Sequence, residues 1–327
     1  RKNGLLQVAS NSASNKSGHV IELDLSFSDS AFNDSDQANR LPRGDISSSL
    51  VELPYLKCLD LSGIDFGGSR IPSFLGALSK LRYLRLSNAE IVGEIPPQLG
   101  NLSSLEIETL YLGYNNLTGD IPSSLMNCTE LVVLDVGENK LSGHVPTWIS
   151  NIPNLVILSL RSNHFYRSIP SSLFEVLNLQ LLDLSSNNLS RSLPNCLGNF
   201  TTMKTSGSVE MNIEHEYLIN DDAFGAALET YEDEILLMWK GKLSKYGCTL
   251  RLVKSIDLLS KNIVGEIPRE ITERVELRAH NSRASIGMRT WEILNYVEIH
   301  SQRSAKEMKI KNVFLKILIK RQMMKSF

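Results

Sequence analysis

Cysteine is scarce: 327 residues hold four, at Cys58, Cys128, Cys196 and Cys248. None stands in a C-x-x-C pair, and no two share metal-ligand spacing with a histidine, which argues against a zinc centre or a dithiol redox site. Long apolar runs are missing as well. The run Val313 to Ile319 is broken by Lys316, far short of the roughly 20 apolar residues that cross a bilayer. The chain begins at Arg1 with no apolar h-region, so no signal peptide is expected within it. It is expected to have processed ends or to be a partial gene product. Surplus positive charge is also lacking. Lys plus Arg number 34 against 36 Asp plus Glu, a formal charge of −2, which speaks against nucleic acid as a partner. No phosphate-binding glycine loop, kinase signature or G-x-S-x-G elbow occurs. The six histidines form no metal pair at helical spacing. Neither catalysis nor a cofactor is expected.

What the chain does have is an internal repeat, and 42% hydrophobic residues with which to bury a core. Four segments, 107–115, 131–139, 155–163 and 179–187, read L-x-x-L-x-L-x-x-N with conservative swaps, and their asparagines fall 24 residues apart. Looser copies fit Val20-Leu23-Leu25, Leu56-Leu59-Leu61, Leu81-Leu84-Leu86 and Val253-Ile256-Leu258. There the asparagine position holds Ser28, Ile64, Ala89 and Lys261. The alternation within L-x-L demands a short strand with leucines facing inward. Stacked repeats then form a parallel sheet on a concave side, each burying its leucines against its neighbours. The asparagine is expected to turn inward at the bend and satisfy backbone groups that have left the ladder.

A second signature follows each strand: Gly93-Glu94-Ile95-Pro96, Gly119-Asp120-Ile121-Pro122, Gly143-His144-Val145-Pro146 and Gly265-Glu266-Ile267-Pro268. The glycine permits a turn conformation, and the proline caps the convex segment without needing an N–H partner. Arg167 and Arg191 replace that glycine in two repeats, so those turns are expected to be less regular.

L-x-G-x-I-P attached to a 24-residue leucine-rich repeat is similar to the plant extracellular class of receptor-like kinases and receptor-like proteins. The stretches Asp183 to Ser190, Pro194 to Met203, Leu236 to Gly241 and Leu252 to Leu258 narrow the resemblance. They look like a last repeat, an island and a return to repeats, as in kinase-less receptor-like proteins of plant immunity, the group that includes the fungal xylanase receptor. Tyr231, Lys240 and Gly241 match the island spacing of that group. The resemblance covers residues 19–276. It implies an α/β-type solenoid of plant-specific leucine-rich repeats with a concave parallel β-sheet, interrupted by a non-repeat island.

The expected organisation is a degenerate N-terminal cap over 1–18, repeats over 19–200, the island over 201–251 and one repeat over 252–276. A non-repeat tail over 277–327, disordered or non-native, closes the chain. Residues 1–18 lack the Trp and Cys of the family's cap, and the frame fails at His280 and Ser282. The island carries nine acidic residues and no Lys or Arg between Thr205 and Trp239. It reads either as a solvated loop or as a partner-contacting excursion on a rigid scaffold. Cys196 and Cys248 bracket it, so a disulfide there would staple its base, and two unpaired thiols are the alternative. The tail from Arg303 to Lys325 holds eight Lys or Arg and one Glu.

A partner would bind outward positions of the strands. These include Tyr111, Tyr114, Val133, Asp135, Glu138, Ile157, Arg161, Leu181 and Asp183, joined by Tyr231, Lys240 and Gly241 of the island. Tyrosine and arginine are favoured at interfaces, and Val133, Ile157 and Leu181 are expected to form an exposed apolar stripe. The recurring Asp24, Asp60, Asp135 and Asp183 are read as keeping the strand face soluble. Seven glycosylation sequons stand at Asn15, Asn33, Asn101, Asn116, Asn127, Asn188 and Asn199, which favours a secretory history. Asn188, beside a buried asparagine position, is expected to stay unmodified.

The resemblance implies a cell-surface recognition module that binds a protein or peptide ligand and relies on a partner co-receptor kinase for defence or developmental signalling. Alternatives are a secreted inhibitor of a microbial cell-wall-degrading enzyme and a piece of a receptor kinase ectodomain.

Overall fold

The computed structural model describes residues 19–27, 42–104, 107–189 and 256–258, and the backbone of strands at 11–14, 214–221, 225–232, 235–239, 242–246, 253–257, 293–300 and 314–321. Eight strands lie side by side and parallel: Val20–Asp24, Cys58–Asp60, Tyr83–Arg85, Thr109–Tyr111, Val133–Asp135, Ile157–Ser159, Leu181–Asp183 and Val253–Asp257. The register is strict. Thr109 pairs with Val133, Val133 with Ile157, and Ile157 with Leu181, which is the 24-residue spacing of the sequence turned into geometry. The expected strands within 107–112, 131–136, 155–160 and 179–184 are all present, each three residues long.

Because side chains alternate along a strand, Leu110, Leu134, Leu158 and Leu182 point into the solenoid and are buried. The leucines that begin and end each frame join them in one continuous core from Leu56 to Leu258. Burial of each such side chain contributes roughly 1.5–3 kcal/mol, and no repeat can collect that contribution without its neighbours.

On the opposite side of each described turn the chain forms a short 3-10 helix, as at Ser73–Ala77, Ser123–Asn127, Thr147–Asn151 and Ser171–Glu175. The proline of the second signature sits at the N-cap of three of them, Pro122, Pro146 and Pro170, in extended conformation. Its carbonyl accepts the first helical bond, as in Leu125 N–H to Pro122 at 3.1 Å. The glycine before it is left-handed: φ is +83° at Gly93, +79° at Gly119 and +84° at Gly143.

Those turns carry a second, lateral sheet of Val92–Glu94, Asn116–Gly119 and Lys140–Leu141. It stops where arginine replaces glycine. Tyr166–Arg167 pairs instead with Asn188–Leu189 as a separate two-stranded ribbon. Arg167 nevertheless takes φ of +68°, the glycine conformation, so the turn keeps its shape at a backbone cost of about 1–2 kcal/mol. Arg191 lies outside the described residues.

The asparagine ladder explains the bend. Asn163 donates from Nδ2 to the carbonyls of Val136, Leu160 and Arg161 at 3.0–3.1 Å. Its Oδ1 accepts from Leu141 N–H of the preceding repeat at 2.9 Å. Where the ladder is incomplete, Ile64 and Ala89 fill the same place as buried apolar groups. Asn115 reaches back to serve Ala89 N–H and Ile91 N–H.

The island segment contains two antiparallel hairpins, Glu214–Asp221 with Gly225–Glu232 and Ile235–Trp239 with Lys242–Tyr246. In the tail, Phe314–Arg321 runs antiparallel to Val253–Asp257, and Ile293–His300 runs antiparallel to Phe314–Arg321. At the other end Asn11–Ser14 pairs antiparallel with Val20–Asp24. Among the described strands, parallel order is thus confined to the repeats. Cys196 and Cys248 lie outside the described residues.

Candidate functional site

Two rows of side chains cross the concave sheet because each strand offers two outward positions. The first row runs Glu22, Cys58, Tyr83, Thr109, Val133, Ile157 and Leu181, and backbone register continues it at position Ser255. The second, two residues on, runs Asp24, Asp60, Arg85, Tyr111, Asp135, Ser159, Asp183 and Asp257.

The first row corrects one expectation. Val133, Ile157 and Leu181 do share a position, but each is no more than 1% exposed, so they form no exposed apolar stripe. Strands stack about 4.8 Å apart, and apolar side chains in one register row close over one another. Their energy goes into the fold.

The second row is charged and largely withdrawn from solvent. Burial pushes the Asp135 carboxyl above the usual carboxylate range, while the Gly137 amide, the Ser159 hydroxyl and Arg161 pull it back. Asp183 is pushed up to about 6, first by burial and then by Asp257 beside it. Its Oδ1 accepts from both the amide and the hydroxyl of Ser185, at 3.0 and 2.5 Å.

At the exit of the strands the face opens. Tyr114, Glu138, Ser162 and Ser186 precede the buried asparagines and adopt φ of +51° to +56°, which turns them away from the core. Tyr114 is 36% exposed. Arg161 spans the repeats here: its Nε and Nη2 both bond Glu138 Oε1, at 2.8 and 2.6 Å. Burial works against its charge, but Asp183 and Glu138 outweigh that and raise its pKa. Arg161 Nη1 has no hydrogen-bond partner. Tyr114 feels the same set, Arg161, Glu138, Asp135 and Asp183, after burial as the main cause of its raised pKa. The structure therefore gathers Tyr114, Asp135, Glu138, Arg161 and Asp183 into one cluster across successive repeats.

Tyr111 stands apart from that cluster. It is buried beneath Arg85, whose guanidinium lies 5.1 Å from the ring centroid and 3.7 Å from Asp60. Of this Asp60–Arg85–Tyr111 group, Arg85 is the member that the sequence pattern did not single out, because it lies on a looser copy of the repeat. The strand frame at Leu81-Leu84-Leu86 already marked Arg85 as outward. Tyr231 occupies the second strand of the first island hairpin, opposite His215. Lys240 and Gly241 lie outside the described residues.

Of the sequons, Asn101, Asn127 and Asn188 are exposed and Asn116 is half-buried. Asn188 corrects the expectation of shelter: it is exposed, while Asn187 before it and Leu189 after it are buried. Asn15, Asn33 and Asn199 lie outside the described residues. Among the described residues no group of His, Cys, Asp and Glu could hold a metal ion, and no helix is long and apolar enough to cross a membrane.

The family described as a leucine-rich repeat region matches residues 41–217. The chain belongs to that family. Its relatives include the receptor-like proteins EIX1 and EIX2 of Solanum lycopersicum. EIX1 is 48% identical over 104 residues, 31% of this chain and 10% of the relative. EIX2 is 46% identical over 83 residues, 25% of this chain and 8% of the relative. The chain thus matches about a tenth of the length of these plant receptor-like proteins. Among solved structures, PEPR1-AtPEP1 is 36% identical, with 56% of this chain and 24% of that chain covered and a TM-score of 0.48.

Proposed function

We propose that this leucine-rich repeat chain is a non-catalytic recognition module of a plant cell-surface receptor-like protein. It binds a protein or peptide ligand, and a partner kinase supplies the signal for defence or development. The observation that carries the reading is the partly exposed Tyr114–Glu138–Arg161 cluster on a rigid sheet. A pre-organised aromatic beside a held arginine is what an interface anchor requires. The receptor-like names of the relatives support the class, and the island residues Tyr231, Lys240 and Gly241 are assigned to partner binding by their spacing in the sequence. The division into cap, repeats, island, returning repeat and tail belongs to this reading, as does attachment of the seven sequons to an extracellular surface.

A second reading has its own support. The receptor-like serine/threonine-protein kinase GSO2 of Arabidopsis thaliana is 45% identical over 73 residues, 22% of this chain and 6% of the relative. On that basis the chain is part of a receptor kinase ectodomain.

A displayed peptide library panned against the purified chain and against its Tyr114→Ala/Arg161→Ala variant tests the site. Peptides enriched on the parent should be lost on the variant. Equal recovery on both would remove the cluster from recognition. The chain should also leave fungal pectin-degrading enzymes fully active, and their inhibition would favour the secreted-inhibitor alternative.

A further inference from the structure

The junction where the repeat array resumes after the island brings two carboxylates together. The strands Leu181–Asp183 and Val253–Asp257 are parallel, with Leu182 beside Ile256 and Asp183 beside Asp257. About 70 residues separate the two aspartates in sequence, so only this pairing makes them neighbours. Both are buried, at 3% and 2% exposure. Like charges at the spacing of adjacent strands cannot both be held ionised cheaply when water is excluded.

At Asp183 the groups that favour the ionised carboxylate, Ser185 and Arg161, fall short of burial and Asp257, which oppose it. From the same strand exit, Ser185 donates two hydrogen bonds to Asp183. From the preceding repeat come Ser159 in register and Arg161, whose attraction for Asp183 is shared with the Glu138 that its Nε and Nη2 bond. One repeat further back stand Asp135 and Glu138, both acidic. On the far side, register places Lys316 beside Asp257 and Glu298 beside Lys316. That lysine position is one strand removed from Asp183, so a proton placed on Asp183 relieves the pair most directly.

We propose that Asp183 and Asp257 form a proton-sensitive latch that fastens the returning repeat to the regular array in acid and loosens it near neutrality. The closed junction is read by the bond from Leu184 N–H to the Asp257 carbonyl at 2.8 Å. The sign follows from the raised carboxyl. Burial and Asp257 lift Asp183 from 3.8 to about 6 when the junction is closed. A carboxyl raised in the closed form contributes no penalty below about pH 4, loses stability as pH climbs between 4 and 6, and carries the full penalty above. The latch goes beyond recognition: it couples the island's anchorage to proton concentration whatever the ligand is.

Hydrogen–deuterium exchange of the full chain at about pH 5 and about pH 7.5, corrected for intrinsic exchange, tests it. Linkage between those two carboxyl values predicts that protection of the Leu184 amide falls about tenfold at the higher pH. The Leu86 amide, bonded to the Tyr111 carbonyl at 2.8 Å, serves as an internal reference and should change less. Asp183→Asn keeps the acceptor for Ser185 and should abolish the difference. Asp257→Asn removes one of its two causes and should reduce it. If Asp183→Asn does not fold, the parent and Asp257→Asn still decide. A pH-insensitive parent, or a full tenfold fall surviving in either folded variant, overturns the proposal.

Discussion

Asn139 donates from Nδ2 to the Leu112 carbonyl at 3.0 Å while its Oδ1 accepts from Leu117 N–H at 2.9 Å. Both partners belong to the preceding repeat, and the side chain is 7% exposed. One amide therefore replaces the ladder partners that the chain loses at the bend. Asn139→Ala would leave buried backbone groups unpaired, each costing about 1–3 kcal/mol. A loss of about 2–4 kcal/mol is expected in a urea titration, and an unchanged midpoint would contradict the ladder's role.

Leu158→Ala should cost about 2–5 kcal/mol, because the side chain is fully buried between neighbouring repeats. Its neighbour is not the inert control that an outward position suggests. Ser159 is buried and its hydroxyl bonds Asp135. Ser159→Ala should therefore cost about 1 kcal/mol, and Glu94→Ala, exposed on the lateral sheet, about 0.5 kcal/mol or less. Equal midpoints for all three variants would refute this order.

The repeat was legible because period and chemistry agreed. L-x-L forced alternation, 24-residue spacing forced register, and the inward asparagine forced the bend. The site was only partly legible. Outwardness of Val133, Ile157 and Leu181 follows from alternation, but exposure depends on what stacks beside each strand, which no single repeat encodes. Arg85 over Tyr111 needed two repeats read together, one of them irregular. The Asp183–Asp257 contact crosses the island, and spacing alone cannot say which strand follows Leu181–Asp183 in space.

Arg167 holds a glycine conformation with a side chain attached. Arg167→Gly should relieve about 1–2 kcal/mol of backbone strain, offset by about 0.5–1 kcal/mol of added unfolded-chain entropy. A small rise in thermal midpoint is expected. A fall would mean that the arginine side chain contributes more than its backbone costs.

Cysteine reactivity separates the described thiols from the rest. Cys58 and Cys128 are buried and stand outside any disulfide, and burial pushes the Cys128 thiol up to about 11. The thiolate is the reactive form, so under native conditions near pH 8 roughly a thousandth of Cys128 is ionised. Neither cysteine should react with iodoacetamide until urea unfolds the repeats, when both should label together. Peptide mapping reads Cys196 and Cys248 in the same experiment: mass loss of two hydrogens on a joined peptide marks a disulfide, and native labelling of either marks a free thiol. Rapid native labelling of Cys128 would place it outside the solenoid core and undo the register assigned to its repeat.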